Sequence, residues 1–360
     1  MNNKYKISML SVAMATIVLL AMTAVAGVSA AQPAKVGVAP ASAPGTSQNG
    51  PVQMTFVEGY NGHLWGIASV ALDRSAALTW VDFGLAITGQ PAVVWTGSAD
   101  YTVVAPTASG IIAITTPDSG VTWSGPTTWP GTVLSSTGVA AISDQAGTTQ
   151  VFYVDSASHH LMVDTQAPPG LVITQTDLGG MVYATPAATT VMPIAPPTSG
   201  VGATPASIVV IVKGTGGLIY EKTASMGGWS GYAKLHDGRI GLGAALATGP
   251  QFVDAGPTVG APAGTVVLLV AGVNGHLYSL VSTDGGLNWA LKPNGPLTTH
   301  NLNWVNAGGV CVSAPGASNL GATVVTLVAG ADGNVWQNNG VPGWNAQADF
   351  SWALGIPGPG

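Results

Sequence analysis

The chain has 360 residues, 47% of them hydrophobic and only 7% charged, with 50 glycines and 25 prolines. That much Gly and Pro excludes long helices, and the patterned Val, Ile and Thr exclude a disordered chain, which leaves many short strands joined by turns. A formal net charge of −6 spread over so few charged groups argues against nucleic acid or anionic lipid as a partner.

At the N-terminus, Lys4 and Lys6 precede an apolar run from Ile7 to Val28, and Val28-Ser29-Ala30 reads as a cleavage site before Ala31. Residues 1–30 are expected to be a signal peptide, giving a secreted or cell-surface protein with no membrane insertion after cleavage. Left uncleaved, the same run is long enough to anchor the chain in a bilayer. Taking Lys4 and Lys6 from the nine basic residues leaves seven against fifteen acidic, a net charge near −8. Cys311 is the single cysteine, so an exported chain has no intramolecular disulfide and depends on its core. Within "GGVCVSAP" that cysteine reads as a buried strand residue.

From residue 31 onward one motif recurs. It stands as "VEGYNGHLW" (57–65), "VKGTGGLIY" (212–220), "VAGVNGHLY" (270–278) and "VAGADGNVW" (328–336), with weaker copies at 105–113 and 154–162. Its turn position is Gly62, Gly110, His159, Gly217, Gly275 and Gly333. A period of 48 to 58 residues with several strands per unit points to propeller blades rather than a solenoid.

The elements in chain order repeat this grammar. In the first unit "KVGVAP" (35–40) is the candidate first strand, with Ala41 to Pro51 as its loop to the second. First strands of later units are expected at "PAVVW" (91–95), "GVAAI" (138–142) and "ATTVMP" (188–193). Second strands such as "SIVVIV" (207–212) and "TVVLLVAG" (265–272) run into Asn-Gly, Asp-Gly or related turns that suit positive φ. Third strands follow, as in "HLYSLVS" (276–282). Fourth strands start near Trp80, Trp123, Trp229, Trp289 and Trp344, and at "LVITQ" (171–175). The expected fold is all-β: one six-bladed β-propeller over 31–360 with four-stranded antiparallel blades. Its units fall near 31–86, 87–134, 135–182, 183–241, 242–299 and 300–360. The last unit reads as complete, so closure is expected without strand exchange between the termini.

Two stretches, "TTPDSGVTW" (115–123) and "VSTDGGLNW" (281–289), share the pattern Ser/Thr-x-Asp-x-Gly-x-x-Trp on the turn from third to fourth strand. They resemble the Asp box of sialidases and other propellers, carried by Thr116, Asp118, Gly120 and Trp123 and by Ser282, Asp284, Gly286 and Trp289. An Asp carboxylate there can accept from turn amides, Gly permits the bend and Trp fills space between sheets. These carboxylates read as structural pins rather than catalysts. Only Arg74 and Arg239 are present as arginines, too few for the three-arginine carboxylate clamp of a sialidase. Another glycoside hydrolase needs two facing carboxylates. Glu58, Glu221, Asp82 and Asp254 are available, but nothing in their spacing pairs them.

The segments "GQPAVVW" (89–95), "VKGTGGLIYEK" (212–222), "GGWSGYAKLHDG" (227–238) and "VNGHLYS" (273–279) are similar to bacterial fucose-binding β-propeller lectins and their tachylectin-like relatives. The resemblance spans nearly all of 31–360 as repeat grammar and implies sugar binding in clefts between neighbouring blades. Ala113 and Met162 replace the third-strand aromatic in units two and three, so few sites are expected. A sugar site needs an aromatic face and a few polar groups. Trp65, Tyr220, Tyr278 and Trp336 supply the first, and Asn61, His63, Asn274 and His276 the second; the same rings could instead simply pack blade on blade.

His63, His160 and His276 share one repeat position, yet turns on alternate blades cannot close on one zinc ion at a bond length of about 2 Å. No metal or cofactor is expected. The reading is thus a secreted, non-catalytic carbohydrate-binding protein. The alternative is an adhesive or self-assembling surface protein whose uncharged faces stack on copies of itself.

Overall fold

The computed structural model describes residues 41–47, 50–59, 61–70, 80–96, 100–118, 120–135, 137–143, 148–167, 172–191, 207–225, 228–235, 251–254, 266–271, 277–282, 316–320, 323–329, 335–339 and 347–349. The signal-peptide, anchor and "KVGVAP" readings fall on residues 1–40, outside these, as does Cys311.

The described residues form six antiparallel sheets, each built from strands consecutive in the chain. The first holds β1 (Ala41–Ser47), β2 (Gly50–Glu58), β3 (His63–Val70) and β4 (Val81–Ala86). The second holds β5 (Ala92–Trp95), β6 (Tyr101–Thr107), β7 (Gly110–Thr116) and β8 (Ser124–Trp129). The third holds β9 (Ala140–Ser143), β10 (Thr149–Val154), β11 (Leu161–Gln166) and β12 (Ile173–Gly179). The fourth holds β13 (Ala187–Val191), β14 (Ser207–Lys213) and β15 (Ile219–Ser225), with β16 (Gly228–Trp229) and β17 (Ala233–Lys234) both paired to β15. The fifth holds β18 (Gln251–Asp254), β19 (Val266–Ala271) and β20 (Leu277–Ser282). The sixth holds β21 (Gly316–Leu320), β22 (Thr323–Ala329), β23 (Val335–Asn339) and β24 (Gln347–Asp349).

First strands of successive sheets touch: β1 with β5, β5 with β9, β9 with β13, β13 with β18, β18 with β21, and β21 with β1. Among the described residues the first sheet takes its four strands from the N-terminal side and the sixth takes its four from the C-terminal side, without strand exchange. One boundary is corrected. Ala41 to Pro51 is not a loop, because Ala41–Ser47 is itself β1, pairing from Ala41↔Phe56 to Ser47↔Gly50 across a tight turn. The Pro- and Gly-bearing segment serves as an end strand of its sheet, where a missing ladder donor is tolerated.

Both faces of the inner strands are buried, which explains their continuous apolar runs. Met54, Phe56 and Leu64 pack with Val93, Tyr101, Val103 and Ile114 between sheets one and two. Val104, Ile111 and Trp129 pack with Val151 and Tyr153 between sheets two and three. Phe152, Val154 and Leu161 pack with Val210 and Val212 between sheets three and four. Each such fully buried side chain contributes roughly 1.5–3 kcal/mol relative to exposure.

The turn positions between second and third strands share a positive φ. Gly62, Gly110 and Gly217 have φ of 75°, 142° and 79°, and His159 takes φ 59° at the same place. The fourth sheet departs from the four-strand pattern. Ser230 N donates to Thr223 O at 2.8 Å, the Ser230 hydroxyl rather than its carbonyl accepts from Thr223 N at 2.9 Å, and Ser230 to Tyr232 separate β16 from β17.

Candidate functional site

The turn after β7 is pinned through Asp118. Its Oδ1 accepts from Thr122 N at 2.8 Å and from the Thr116 hydroxyl at 2.8 Å, and its Oδ2 accepts from the Thr122 hydroxyl at 2.6 Å. Gly120 N donates to Thr116 Oγ1 at 2.8 Å, and Trp123 Nε1 donates to Gly120 O at 3.1 Å. The Trp123 ring then lies edge-on against Phe56 and Phe83 of the first sheet, at 5.7 and 5.0 Å between centroids. A second junction has the same form: Trp229 of sheet four meets Phe152 of sheet three at 5.9 Å and 80°. Of the second copy of the pattern, Ser282 ends β20, while Asp284, Gly286 and Trp289 lie outside the described residues.

The Thr122 hydroxyl and amide hold the Asp118 carboxyl below its ordinary value of 3.8. A carboxylate with a depressed folded pKa stabilises the fold above its unfolded value, and that contribution is lost as pH falls through the folded one. Asp118→Ala is therefore expected to lower the melting temperature at pH 7, with the gap to the native chain closing in acid. A thermal melt series from pH 7 to pH 2 checks this. An unchanged melting temperature at pH 7 would show that the turn does not need the carboxylate.

The candidates of the first sheet form a closed polar cluster. Asn61 Oδ1 accepts from Trp65 Nε1 at 3.0 Å and from His63 N at 3.1 Å, while Asn61 Nδ2 donates to Asp82 Oδ2 at 3.1 Å. His63 Nδ1 donates to Asp82 Oδ2 at 3.1 Å, because a carboxylate can only accept, and Gly84 N donates to Asp82 Oδ1 at 2.8 Å. Burial pushes the Asp82 carboxyl up, but the Gly84 amide, His63 and Asn61 outweigh it and hold it below the usual value. Trp65 is only 2% exposed, and a Cβ on Gly59 would come within 2.3 Å of its Nε1. In this structure the Trp65 ring is therefore packed, which is the second of the two roles open to the third-strand aromatics.

The third sheet repeats this device without being legible from the histidine alone. His160 Nδ1 donates to Asp177 Oδ2 at 2.9 Å, and Gly179 N donates to Asp177 Oδ1 at 2.7 Å. The signal in the sequence is an Asp-x-Gly following each histidine, Asp82-Phe83-Gly84 and Asp177-Leu178-Gly179. His63 and His160 thus sit in separate sheets, each with its own aspartate.

The remaining candidates divide sharply. Asn274 and His276 lie outside the described residues, and Tyr278 and Trp336 are placed only as backbone positions of β20 and β23. Tyr220 is different. It lines a cleft of about 200 Å³ between sheets three and four, together with Tyr232, Met181 and Thr215. Its register partner across β15 and β17 is Lys234. Tyr232 donates its hydroxyl to Gly179 O at 2.8 Å, which ties the two sheets together, and a Cβ on Gly180 would lie 2.8 Å from the Tyr232 ring. Burial raises the Tyr232 phenol well above its normal range, so it stays neutral. The volume is below the roughly 300–1,000 Å³ usual for drug-sized ligands, which suits a single sugar ring.

Sheets two and three frame two further clefts. One of about 610 Å³ is lined by Trp129, Met162, Gln175, Asp155 and Asp177, but Trp129 is only 3% exposed. The other, of about 430 Å³, is lined largely by threonines with Asp100 and Gln166. Neither offers an open aromatic face. Among the carboxylates considered for hydrolysis, Glu58 and Glu221 are buried in sheets one and four, Asp82 is engaged as above, and Asp254 ends β18.

No protein-family model matches the chain, and comparison with curated protein sequences gives no match. Solved structures do match. AofleA from Arthrobotrys oligospora superposes with a TM-score of 0.62 at 13% identity over 87% of each chain. BP39L lectin from Burkholderia pseudomallei gives 0.58 at 18% identity, covering 87% of this chain and 84% of that one. A fungal lectin from Aleuria aurantia, described as a six-bladed β-propeller with a novel fucose recognition mode, gives 0.55 at 11% identity over 88% of this chain and 96% of its own. At such identities the likeness is one of fold: this chain is an all-β protein of antiparallel sheets with the β-propeller architecture of those lectins.

Proposed function

We propose that the chain is a secreted, non-catalytic six-bladed β-propeller that binds carbohydrate in a cleft between blades. Six sheets whose first strands meet in turn, the last with the first, support the blade count. The basic, apolar and small-residue order of residues 1–30 supports export. The turn pinned by Asp118 supports an Asp-box reading of residues 116–123 and, by pattern, of residues 282–289.

The observation that carries the binding reading is the cleft between sheets three and four, where Tyr220 and Tyr232 stand beside Thr215 and backbone groups. A sugar presents a C–H face to an aromatic ring and hydroxyls to a few fixed polar groups. Solved structures similar in fold to this chain include lectins in complex with methyl fucoside, which makes a glycan the first ligand to try. The test is a glycan array with the chain from residue 31 onward, followed by titration of the best glycan against the native chain and Tyr220→Ala. Loss of an aromatic platform is expected to weaken binding about tenfold, on the scale of 0.5–1.5 kcal/mol for ring contacts plus lost buried area. Retained affinity in Tyr220→Ala would remove this cleft from the account.

A further inference from the structure

Cations are scarce in this acidic chain, and they are not evenly placed. Of the seven basic residues in 31–360, Lys213, Lys222, Lys234 and Arg239 fall between positions 213 and 239. Strand geometry sorts the described ones. Tyr220 and Lys222 are two apart on β15, and Lys234 lies directly across from Tyr220 on β17. Side chains two apart on a strand, or opposite across a pair, share one face. Tyr220, Lys222 and Lys234 therefore share the face of sheet four that borders the cleft to sheet three. Lys213 alternates with Val212, which lines that cleft, and so belongs to the other face.

Lys222 is only 7% exposed. Its ammonium donates to the Ser230 carbonyl at 2.7 Å and lies 4.5 Å from the centroid of the Tyr232 ring. Burial lowers its pKa from the ordinary 10.5. Lys234 is exposed, opposite the cleft-lining Tyr220 in the β15–β17 register. Glu221 alternates with these lysines and faces away from them. From sheet three, the Asp177 charge adds to burial in raising the Tyr232 pKa, and Asp177 is itself bound by His160 and Gly179 N.

From this juxtaposition we infer that the cleft between sheets three and four takes an anionic saccharide, one carrying a carboxylate or a sulfate, with Tyr220 under the ring and Lys234 on the anion. Lys222 adds fixed positive charge behind Tyr232. The inference rests on the saccharide-binding reading above and adds the charge of the ligand to it.

The test is calorimetric titration of the native chain and Lys234→Gln with four probes: a methyl glucuronide, galactose 6-sulfate, and their neutral parents methyl glucoside and galactose. The anionic member of at least one pair is expected to bind about tenfold tighter than its parent at low salt, the scale of a charge-assisted hydrogen bond. The advantage should shrink at about 0.5 M salt and disappear in Lys234→Gln, whose circular dichroism and melting temperature should match the native chain. Which pair shows it tells carboxylate from sulfate. Equal binding of charged and neutral members overturns the inference and leaves the carbohydrate reading standing. A preference that persists in Lys234→Gln also overturns it, and no binding of any saccharide overturns both.

Discussion

Phe152→Ala is expected to lower the unfolding free energy by about 3–5 kcal/mol, the range for removing a large buried aromatic. The ring is fully buried on β10 and packs with Val154, Leu161, Val210 and Val212. It also receives the edge of Trp229 from the next sheet, so its loss opens the seam between sheets three and four. Part of the effect is specific to that ring pair. A double-mutant cycle with Trp229→Ala should return a coupling of roughly 0.5–1.5 kcal/mol. Urea denaturation of the four proteins measures both quantities. A loss under about 1 kcal/mol for Phe152→Ala would mean that the seam is not packed as described.

The second large effect has the opposite sign. Asp164 is fully buried on β11, facing the seam between sheets two and three. Its Oδ1 accepts from the Tyr153 hydroxyl at 3.3 Å, Gln175 Nε2 in turn donates to Tyr153, and its Oδ2 has no hydrogen-bond partner among the described residues. Burial pushes its pKa up to about 6, against the opposing pull of Gln175 and Tyr153. Between the ordinary value of 3.8 and about 6 the folded chain binds more protons than the unfolded one. Stability is therefore fully present below the lower value and is lost as pH rises through the upper one. Asp164→Asn keeps the shape and removes the charge. It is expected to stabilise the chain by on the order of 1–3 kcal/mol at pH 8 and to change little near pH 3. Denaturation midpoints at the two pH values decide it, and a less stable Asp164→Asn at pH 8 would show that the charged form is solvated or paired.

Much of the fold was legible because the sequence writes its turns plainly. Gly62, Gly110 and Gly217 mark turns between apolar strands, and the structure puts positive φ at each. Even His159, the least conventional member of that set, takes a positive φ. β1 was misplaced because "ASAPGTS" carries no strand propensity; its conformation is fixed by pairing with β2, which local sequence does not report. Of the tryptophans near the starts of fourth strands, Trp123 and Trp229 lie at junctions between sheets.

The site was legible only in part. Trp65 and Tyr220 occupy the same repeat position, yet one is sealed under Gly59 while the other borders a cleft. Repeat alignment gives a residue's strand position, and burial depends on the neighbouring sheet. Asp82 and Asp177 escaped notice as the partners of His63 and His160 because the residues lie 19 and 17 apart in sequence and meet only through β pairing. Tyr232 was visible within the lectin-like segment "GGWSGYAKLHDG" (227–238), but its hold on Gly179 of the preceding sheet is a tertiary contact.

The most direct measurement is a crystal structure of the chain with the tightest glycan from the array. Density for a sugar ring against Tyr220, in the cleft shared with Tyr232 and Met181, is the expected result. A sugar seated instead between sheets two and three, against Gln175 and Asp177 or along the threonine-lined cleft, would contradict the account.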